Sequence, residues 1–148
     1  MALVLRHRVR YHETDAQGYM FNSRFLEIAD VGLTEFVRSI GWPYPKLLAA
    51  GVDPSVVQAA INFAAPARFE DLLDVEVTCA RVGSSSFVLC VGISRDGMHI
   101  AEANMTYVNV DSATASSRPL PAAVAEALRG NRDGSVERPP AYSSDSLS

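Results

Sequence analysis

Apolar and polar residues alternate along four stretches of the chain, and alternation with a period of two is typical of β-strands that bury one face. This alternation predicts strands over residues 3–11, 57–63, 73–79 and 98–110, and a short apolar run predicts a fifth strand over residues 87–93. Residues 87–93, with the sequence FVLCVGI, are apolar on both faces. A strand of this kind needs cover on both sides, so we expect a second subunit to provide part of it.

One long stretch has the spacing of an amphipathic helix instead. From Asn22 to about Ser39, apolar residues recur every three or four positions opposite a polar stripe. Asn22 or Ser23 is suited to cap the first turn, and Gly41 is suited to end the helix. One strand, a long helix and four further strands predict an α+β domain in which an antiparallel sheet of about five strands wraps around the helix.

The chain length fits one domain with its own core. It has 148 residues, of which 48% are hydrophobic. We assign residues 1–130 to this domain. Residues 131–148, NRDGSVERPPAYSSDSLS, are rich in Ser, Pro, Gly and charge, and this composition predicts a flexible C-terminal tail.

Charge and hydropathy limit the classes of partner. The net charge of −4 argues against a broad nucleic-acid-binding surface. No apolar run reaches the roughly 18 residues that span a bilayer, and the N-terminal sequence MALVLRHRVR lacks the features of a secretory signal. We therefore expect a soluble, cytoplasmic protein with no nucleic-acid or membrane partner.

Asp15 lies in a short glycine-containing segment, ETDAQG, between the first strand and the helix. One interpretation is structural, because aspartate is common in turns and ahead of helices and Gly18 permits a turn. The other is catalytic. Unpaired N–H groups at a helix start stabilise negative charge on a carbonyl oxygen, and a carboxylate beside them can attack that carbonyl or deprotonate a water. Position in the sequence leaves both interpretations open.

Motifs of several other active-site classes are missing from the sequence. It contains no G-x-S-x-G, no phosphate-binding loop and no G-x-G-x-x-G. His12, Glu13 and Asp15 lack the spacing of metal ligands. We expect neither a metal nor a cofactor.

The segment VRYHETDAQGYMFNSRFLEIAD resembles the opening of the hotdog-fold thioesterases of the 4-hydroxybenzoyl-CoA thioesterase type. In that family a T-D-x-x-G strand exit precedes the central helix, and here ETDAQG and NSRF match it. NFAAPARFED, the G-S-S-S turn and the hairpin RDGMHIAEANMTYVNVD also fit the family pattern. The resemblance extends from about residue 3 to residue 121.

The resemblance implies a hotdog fold and hydrolysis of an acyl-CoA thioester to free acid and CoA. It implies that Asp15 is the nucleophile or general base, that the Asn22 N–H polarises the thioester carbonyl, and that Gly18 shapes the turn. It assigns four residues to the acyl pocket: Tyr19, Met20, Phe21 and Phe25. It assigns Arg68 to binding of the CoA nucleotide. Family members are homodimers, often paired into homotetramers.

Alternatives remain within this resemblance. A second hotdog thioesterase type uses a glutamate of the central helix, and Glu27 and Glu35 are available there. The substrate carrier is coenzyme A or an acyl carrier protein bearing a polyketide or fatty acid. A non-catalytic acyl-CoA-binding protein is the rival from another class, and a dehydratase would need a histidine such as His12. The acyl group, aromatic or aliphatic, is left open.

Overall fold

The computed structural model describes residues 2–130, in which a curved antiparallel sheet wraps around one long helix. Its elements in chain order are β1 (Ala2–Arg8), a 3₁₀ turn (Tyr11–Glu13), α1 (Asn22–Ser39), α2 (Tyr44–Ala49), β2 (Pro54–Phe63), β3 (Leu72–Val82), β4 (Ser86–Arg95), β5 (Met98–Asp111), β6 (Ser116–Ser117) and α3 (Ala122–Arg129). The strand order is β1-β3-β4-β5-β2, with β6 paired to β5. This is the hotdog arrangement, so the predicted α+β hotdog fold is confirmed. The predicted tail, residues 131–148, lies outside the described residues.

The core forms between α1 and one face of the sheet. Strict alternation along β3 buries every second side chain, from Leu73 to Cys79. The helix contributes seven buried residues at the spacing that one helical face requires: Phe25, Ile28, Ala29, Gly32, Leu33, Phe36 and Val37. The helical and strand periods seen in the sequence therefore meet on a single interface.

Gly32 sits where the helix comes closest to the sheet. A Cβ added there would meet side-chain atoms of Val77 at 3.4 Å, Val91 at 3.8 Å and Val75 at 3.9 Å. A methyl group is therefore at ordinary contact distance, whereas a larger side chain has no room.

We expect Gly32→Ala to change the free energy of unfolding by less than about 1 kcal/mol, because the gain in helix propensity offsets the tight contact. We expect Gly32→Ile to lower it by about 1–3 kcal/mol or more, because it overpacks the interface. Urea denaturation of the two variants measures the difference. Equal stability of the alanine and isoleucine variants would contradict this close packing.

Three sequence expectations differ in detail from the structure. The first strand ends at Arg8 rather than residue 11, because the chain turns into the 3₁₀ segment, where the Glu13 N–H donates to the Arg10 carbonyl at 2.9 Å. The N-cap of α1 is Phe21, so Asn22 is the first helical residue and no side chain caps the helix. The second strand, β2, begins at Pro54 rather than at residue 57.

The apolar surface expected on β4 lies elsewhere. Cys90 and Gly92, on the face of β4 away from α1, are buried within the single chain, and the Cys90 thiol donates to Glu102 Oε1 at 3.0 Å. Exposed apolar residues are found instead on the edge strand β2, where Val56 and Val57 are 46% and 60% exposed. Over residues 2–130, no helix combines the length and hydropathy needed to cross a membrane.

Candidate active site

Asp15 organises a tight loop between the 3₁₀ turn and α1, which we call the Asp15 corner (residues 14–20). Its Oδ1 accepts the N–H groups of Gln17 at 2.8 Å and Tyr19 at 3.2 Å. Its main-chain N–H donates to the Tyr19 carbonyl at 2.8 Å, and its carbonyl accepts the Gly18 N–H at 3.0 Å. Gly18 has φ of 79°, a conformation that L side chains rarely adopt. Asp15 therefore stabilises the corner itself and does not cap α1.

The second carboxylate oxygen of Asp15, Oδ2, takes no part in the bonds that hold the turn. Within residues 2–130, no hydrogen bond or ion pair is formed by Oδ2. The same side chain therefore holds the turn through one oxygen and presents the other for chemistry.

The corner is fixed against the loop that follows β2. The Met20 N–H donates to the Ala67 carbonyl at 2.6 Å, and Tyr19 forms an isolated β-bridge with Arg68. The guanidinium of Arg68 lies 5.2 Å from the centre of the Tyr19 ring, within the range of a cation–π contact. Two segments far apart in the sequence, around Tyr19 and around Arg68, thus form one rim.

A pocket of about 290 Å³ opens between the corner, the start of α1 and the end of β2. Its lining residues are Asp15, Gln17, Tyr19, Met20, Asn22, Phe25, Phe63, Ala65 and Pro66. The rings of Phe25 and Phe63 meet edge to face with 5.2 Å between their centres. The pocket is therefore polar at the corner and apolar and aromatic along the other walls.

The N-terminus of α1 borders this pocket through Asn22. The Phe21 side chain caps nothing, and the first turn contains no acidic residue. In the described part of the chain the Asn22 N–H has no hydrogen-bond acceptor. Asn22, whose N–H is free in this part of the chain, and the acidic residue Asp15 thus line the same cavity. An oxyanion site and its nucleophile or base require residues of these two kinds close together.

The structure brings together five of the eight residues assigned from the sequence: Asp15, Tyr19, Met20, Asn22 and Phe25 line the pocket. Gly18 shapes the corner without lining it, and Arg68 stands at the rim. Phe21 is 53% exposed and is not part of the wall. It follows Met20 in an extended stretch, where neighbouring side chains lie on opposite sides, and Met20 takes the buried side.

Four wall residues were missed by the sequence reasoning. Gln17 lies within the ETDAQG motif, where its proximity to Asp15 is a usable signal. Phe63 ends β2, and Ala65 and Pro66 follow it. These three lie in the segment NFAAPARFED, which fits the family pattern, but periodicity does not place them at the corner, because contacts between distant segments depend on tertiary packing.

Glu13 is a buried carboxylate beside the corner, with only 6% of the residue exposed. His7 Nε2 lies 2.9 and 3.0 Å from its two carboxylate oxygens, and the Arg10 N–H donates to Oε1 at 2.8 Å. Burial alone would raise the pKa of Glu13. The Arg10 N–H and the His7 imidazole outweigh burial and hold the pKa below its usual value.

A lowered pKa in the folded state makes Glu13 stabilising at neutral pH. That stabilisation is present above the usual glutamate pKa and is lost as the pH falls through the lower folded-state value. We expect Glu13→Gln to be less stable than the natural protein at pH 7, and the difference to shrink below about pH 4.3. Urea titrations from pH 7 to pH 3 measure it, with Glu126→Gln on α3 as control. A difference constant with pH would contradict the charged, bonded state of Glu13.

The described residues 2–130 contain no group of three or more His, Cys, Asp or Glu side chains placed to hold a metal ion.

A model of the thioesterase-like superfamily matches residues 9–128 of the chain. The acyl-CoA thioesterase YbgC of Haemophilus influenzae is 28% identical over 105 residues, which cover 70% of this chain and 77% of that protein. The acyl-CoA thioester hydrolase YbgC of Escherichia coli O157:H7 is 26% identical over 118 residues, which cover 79% and 88%. The family match includes every residue that lines the pocket.

Solved structures share the fold. The protein TT1821 of Thermus thermophilus superposes with a TM-score of 0.79 at 27% identity and covers 86% of this chain and 97% of its own. The gentisyl-coenzyme A thioesterase BH1999 superposes with a TM-score of 0.77 at 24% identity and covers 84% and 98%. These similarities cover most of the chain and show the shared fold.

Proposed function

This chain belongs to the thioesterase-like superfamily, and we propose that it hydrolyses an acyl-CoA thioester to a free acid and CoA. The observation that carries the proposal is the shared pocket, in which the Asp15 carboxylate and the Asn22 N–H face one cavity with aromatic walls. The relatives named as acyl-CoA thioesterases support the same reaction class. The sequence motifs favour the 4-hydroxybenzoyl-CoA thioesterase type within the superfamily.

In the proposed mechanism the thioester carbonyl oxygen accepts the Asn22 N–H, whose position at the helix start stabilises the developing negative charge. Asp15 Oδ2 either removes a proton from the attacking water or adds to the carbonyl carbon itself. The C–S bond then breaks and the CoA thiolate leaves. If Asp15 adds directly, water hydrolyses the resulting anhydride. A thioester needs less activation than an amide, so a carboxylate and one helix end suffice.

The pocket supports an aromatic acyl group. Its volume of about 290 Å³ accommodates an acyl chain and thioester but not the nucleotide of CoA. Phe25 and Phe63 provide apolar ring contacts, and Tyr19 lines the part of the pocket next to Asp15. The nucleotide then lies outside, where Arg68 at the rim supplies positive charge.

Release of free thiol from a substrate panel tests this function. The panel pairs benzoyl-CoA and 4-hydroxybenzoyl-CoA with hexanoyl-CoA and decanoyl-CoA, and adds decanoyl-acyl carrier protein. We expect turnover of the CoA esters, fastest with the aromatic ones. Turnover of the carrier-protein substrate alone would move the proposal to acyl carrier protein. Binding of acyl-CoA without thiol release would favour a non-catalytic acyl-CoA-binding protein.

We also propose that the chain is a homodimer, or a homotetramer of two such dimers, joined through β2. This strand is one of the two edges of the sheet, so within residues 2–130 its outer N–H and C=O groups have no strand partner, and most of its residues are exposed. The exposed valines Val56 and Val57 lie on this strand. Pairing with a second β2 would cover both the edge and the valines.

Sedimentation is expected to give at least twice the mass of one chain, and Val57→Lys is expected to shift the population toward monomer. A lysine in a paired edge buries an unmatched charge, which disfavours association. Met98→Lys, an exposed apolar residue on the β4–β5 hairpin, is the control. Monomeric natural protein, or equal effects of the two lysines, would contradict pairing through β2.

A further inference from the structure

Glu13 is a buried carboxylate that the proposed mechanism does not use. Within residues 2–130 only Glu13 and Asn109 are polar residues classed as buried. Burying a carboxylate is costly unless it is bonded, and here both oxygens face the His7 ring while Oε1 also accepts the Arg10 N–H. The free-energy cost of burying this carboxylate indicates that the side chain has a specific role at this place in the fold.

The main chain of Glu13 links this anchor to both halves of the candidate site. Its carbonyl accepts the N–H of Phe21 at 2.8 Å, and Phe21 is the N-cap that immediately precedes Asn22. The next residue, Thr14, forms an isolated β-bridge with Met20 and leads directly into Asp15. One residue therefore connects through main-chain bonds to the carboxylate on one side and to the helical N–H on the other.

Among residues 2–130, no side chain hydrogen-bonds to the helix start. The N-cap makes no side-chain hydrogen bond, and Ala16, Gln17 and Gly18 at the tip of the corner are exposed. The entry of the chain into α1 is therefore set by main-chain bonds, from the Phe21 N–H to the Glu13 carbonyl and from the Met20 N–H to the Ala67 carbonyl. If Glu13 moves, the position of the Asn22 N–H relative to Asp15 changes.

We propose that Glu13 is a positioning residue, whose carboxylate, clamped by His7 and the Arg10 N–H, holds Asp15 and the Asn22 N–H in register across the pocket. The catalytic part of this inference rests on the proposed thioesterase function. Misplacement of reacting groups by about 1 Å lowers rates by on the order of a hundredfold. Because the residue acts through main-chain geometry and not through substrate contact, the effect should fall on kcat and not on KM.

Glu13→Gln is the sharpest variant. Glutamine has nearly the same shape, yet it offers one acceptor and one donor where the His7 ring N–H faces two acceptors. We expect kcat to fall by about 10- to 100-fold with KM within about twofold, at a temperature where the variant is fully folded. Phe36→Ala, a core change away from the pocket, is the control for lost stability alone, and it should leave kcat of the folded protein unchanged.

A second variant keeps the test sharp. His7→Gln leaves the Glu13 charge and the Arg10 bond in place, so its loss of kcat should be smaller. The double variant should be no slower than Glu13→Gln alone, because both changes disable one clamp. Additive losses, or an unchanged kcat in folded Glu13→Gln, would overturn the proposal.

An activity-independent measurement separates this inference from the proposed function. In amide NMR spectra, Glu13→Gln should shift the resonances of Gln17, Tyr19 and Asn22 and leave those of Val77 in β3 unchanged. If the natural protein releases no thiol from any substrate, the proposed function fails, while shifted corner resonances still support the clamp. Unmoved resonances at Tyr19 and Asn22 would overturn the clamp even in an active enzyme.

Discussion

Replacement of Asp15 by asparagine is expected to lower kcat for acyl-CoA hydrolysis by about a hundredfold or more, equivalent to ~2.7 kcal/mol of transition-state stabilisation. The physical reason is that the two carboxylate oxygens of Asp15 have different roles. Oδ1 accepts the N–H groups of Gln17 and Tyr19, and an asparagine oxygen keeps both bonds. The second oxygen becomes an amide nitrogen, which neither attacks a carbonyl nor removes a proton from water.

Thiol release from the best substrate of the panel, measured beside thermal unfolding, decides the outcome. Asp74→Asn is a matched control, because it removes a carboxylate that pairs with Arg6 on the surface, away from the pocket. Asp15→Ala adds a structural comparison, since it loses the turn bonds as well as the charge. Equal activity of Asp15→Asn and the natural protein would leave Asp15 with the turn role alone, and would direct attention to Glu27 and Glu35.

Replacement of Phe25 by alanine is expected to lower the free energy of unfolding by about 3–5 kcal/mol. The Phe25 ring is 2% exposed and packs edge to face on Phe63. Its loss leaves a cavity beneath the start of α1, and this cavity adjoins the pocket. Urea denaturation measures the loss of stability. Phe25→Leu, which retains more volume, should lose less.

The same substitution should change acyl preference, because the space it creates lies in the pocket wall. We expect kcat/KM for a bulkier or longer acyl group to rise by about tenfold relative to benzoyl-CoA. Phe36→Ala is the control, because it makes the same phenylalanine-to-alanine change at a residue that is 1% exposed in the core and does not line the pocket. A parallel change in acyl preference in both variants would show that Phe25 acts through stability alone.

Local periodicity in the sequence was sufficient to predict the helix. The 3.6-residue pattern predicted α1 from residue 22 to about residue 39, and the structure has it at Asn22–Ser39. Alternation located β3 and β5 in the same way, and a short apolar run located β4. Periodicity works here because these elements bury one continuous face against each other, and the face imposes its period on the sequence.

Element ends were less predictable, because they depend on single hydrogen bonds. β1 stops at Arg8, where Glu13 bonds back to the Arg10 N–H and turns the chain. The helix start lacks the side-chain cap expected from Asn22 or Ser23. In place of a cap, the main-chain bond between Phe21 and Glu13 sets the entry of the chain.

The sequence by itself determined the half of the site that is contiguous along the chain. Asp15, Tyr19, Met20, Asn22 and Phe25 lie within eleven residues of one another, and their motif named them together. Only the tertiary structure decided the opposite wall, where Phe63, Ala65 and Pro66 reach the corner because the Met20 N–H bonds to the Ala67 carbonyl.

Tertiary structure also decided the environment of Glu13, the acidic residue next to the Asp15 corner. A glutamate in a polar motif is usually solvated, and Glu13 is buried at a place where β1 brings His7 within hydrogen-bond distance of it. Spacing along the chain can name residues that are local to one turn. Which distant strand covers them, and which charge is withdrawn from water, depends on how the sheet closes around α1.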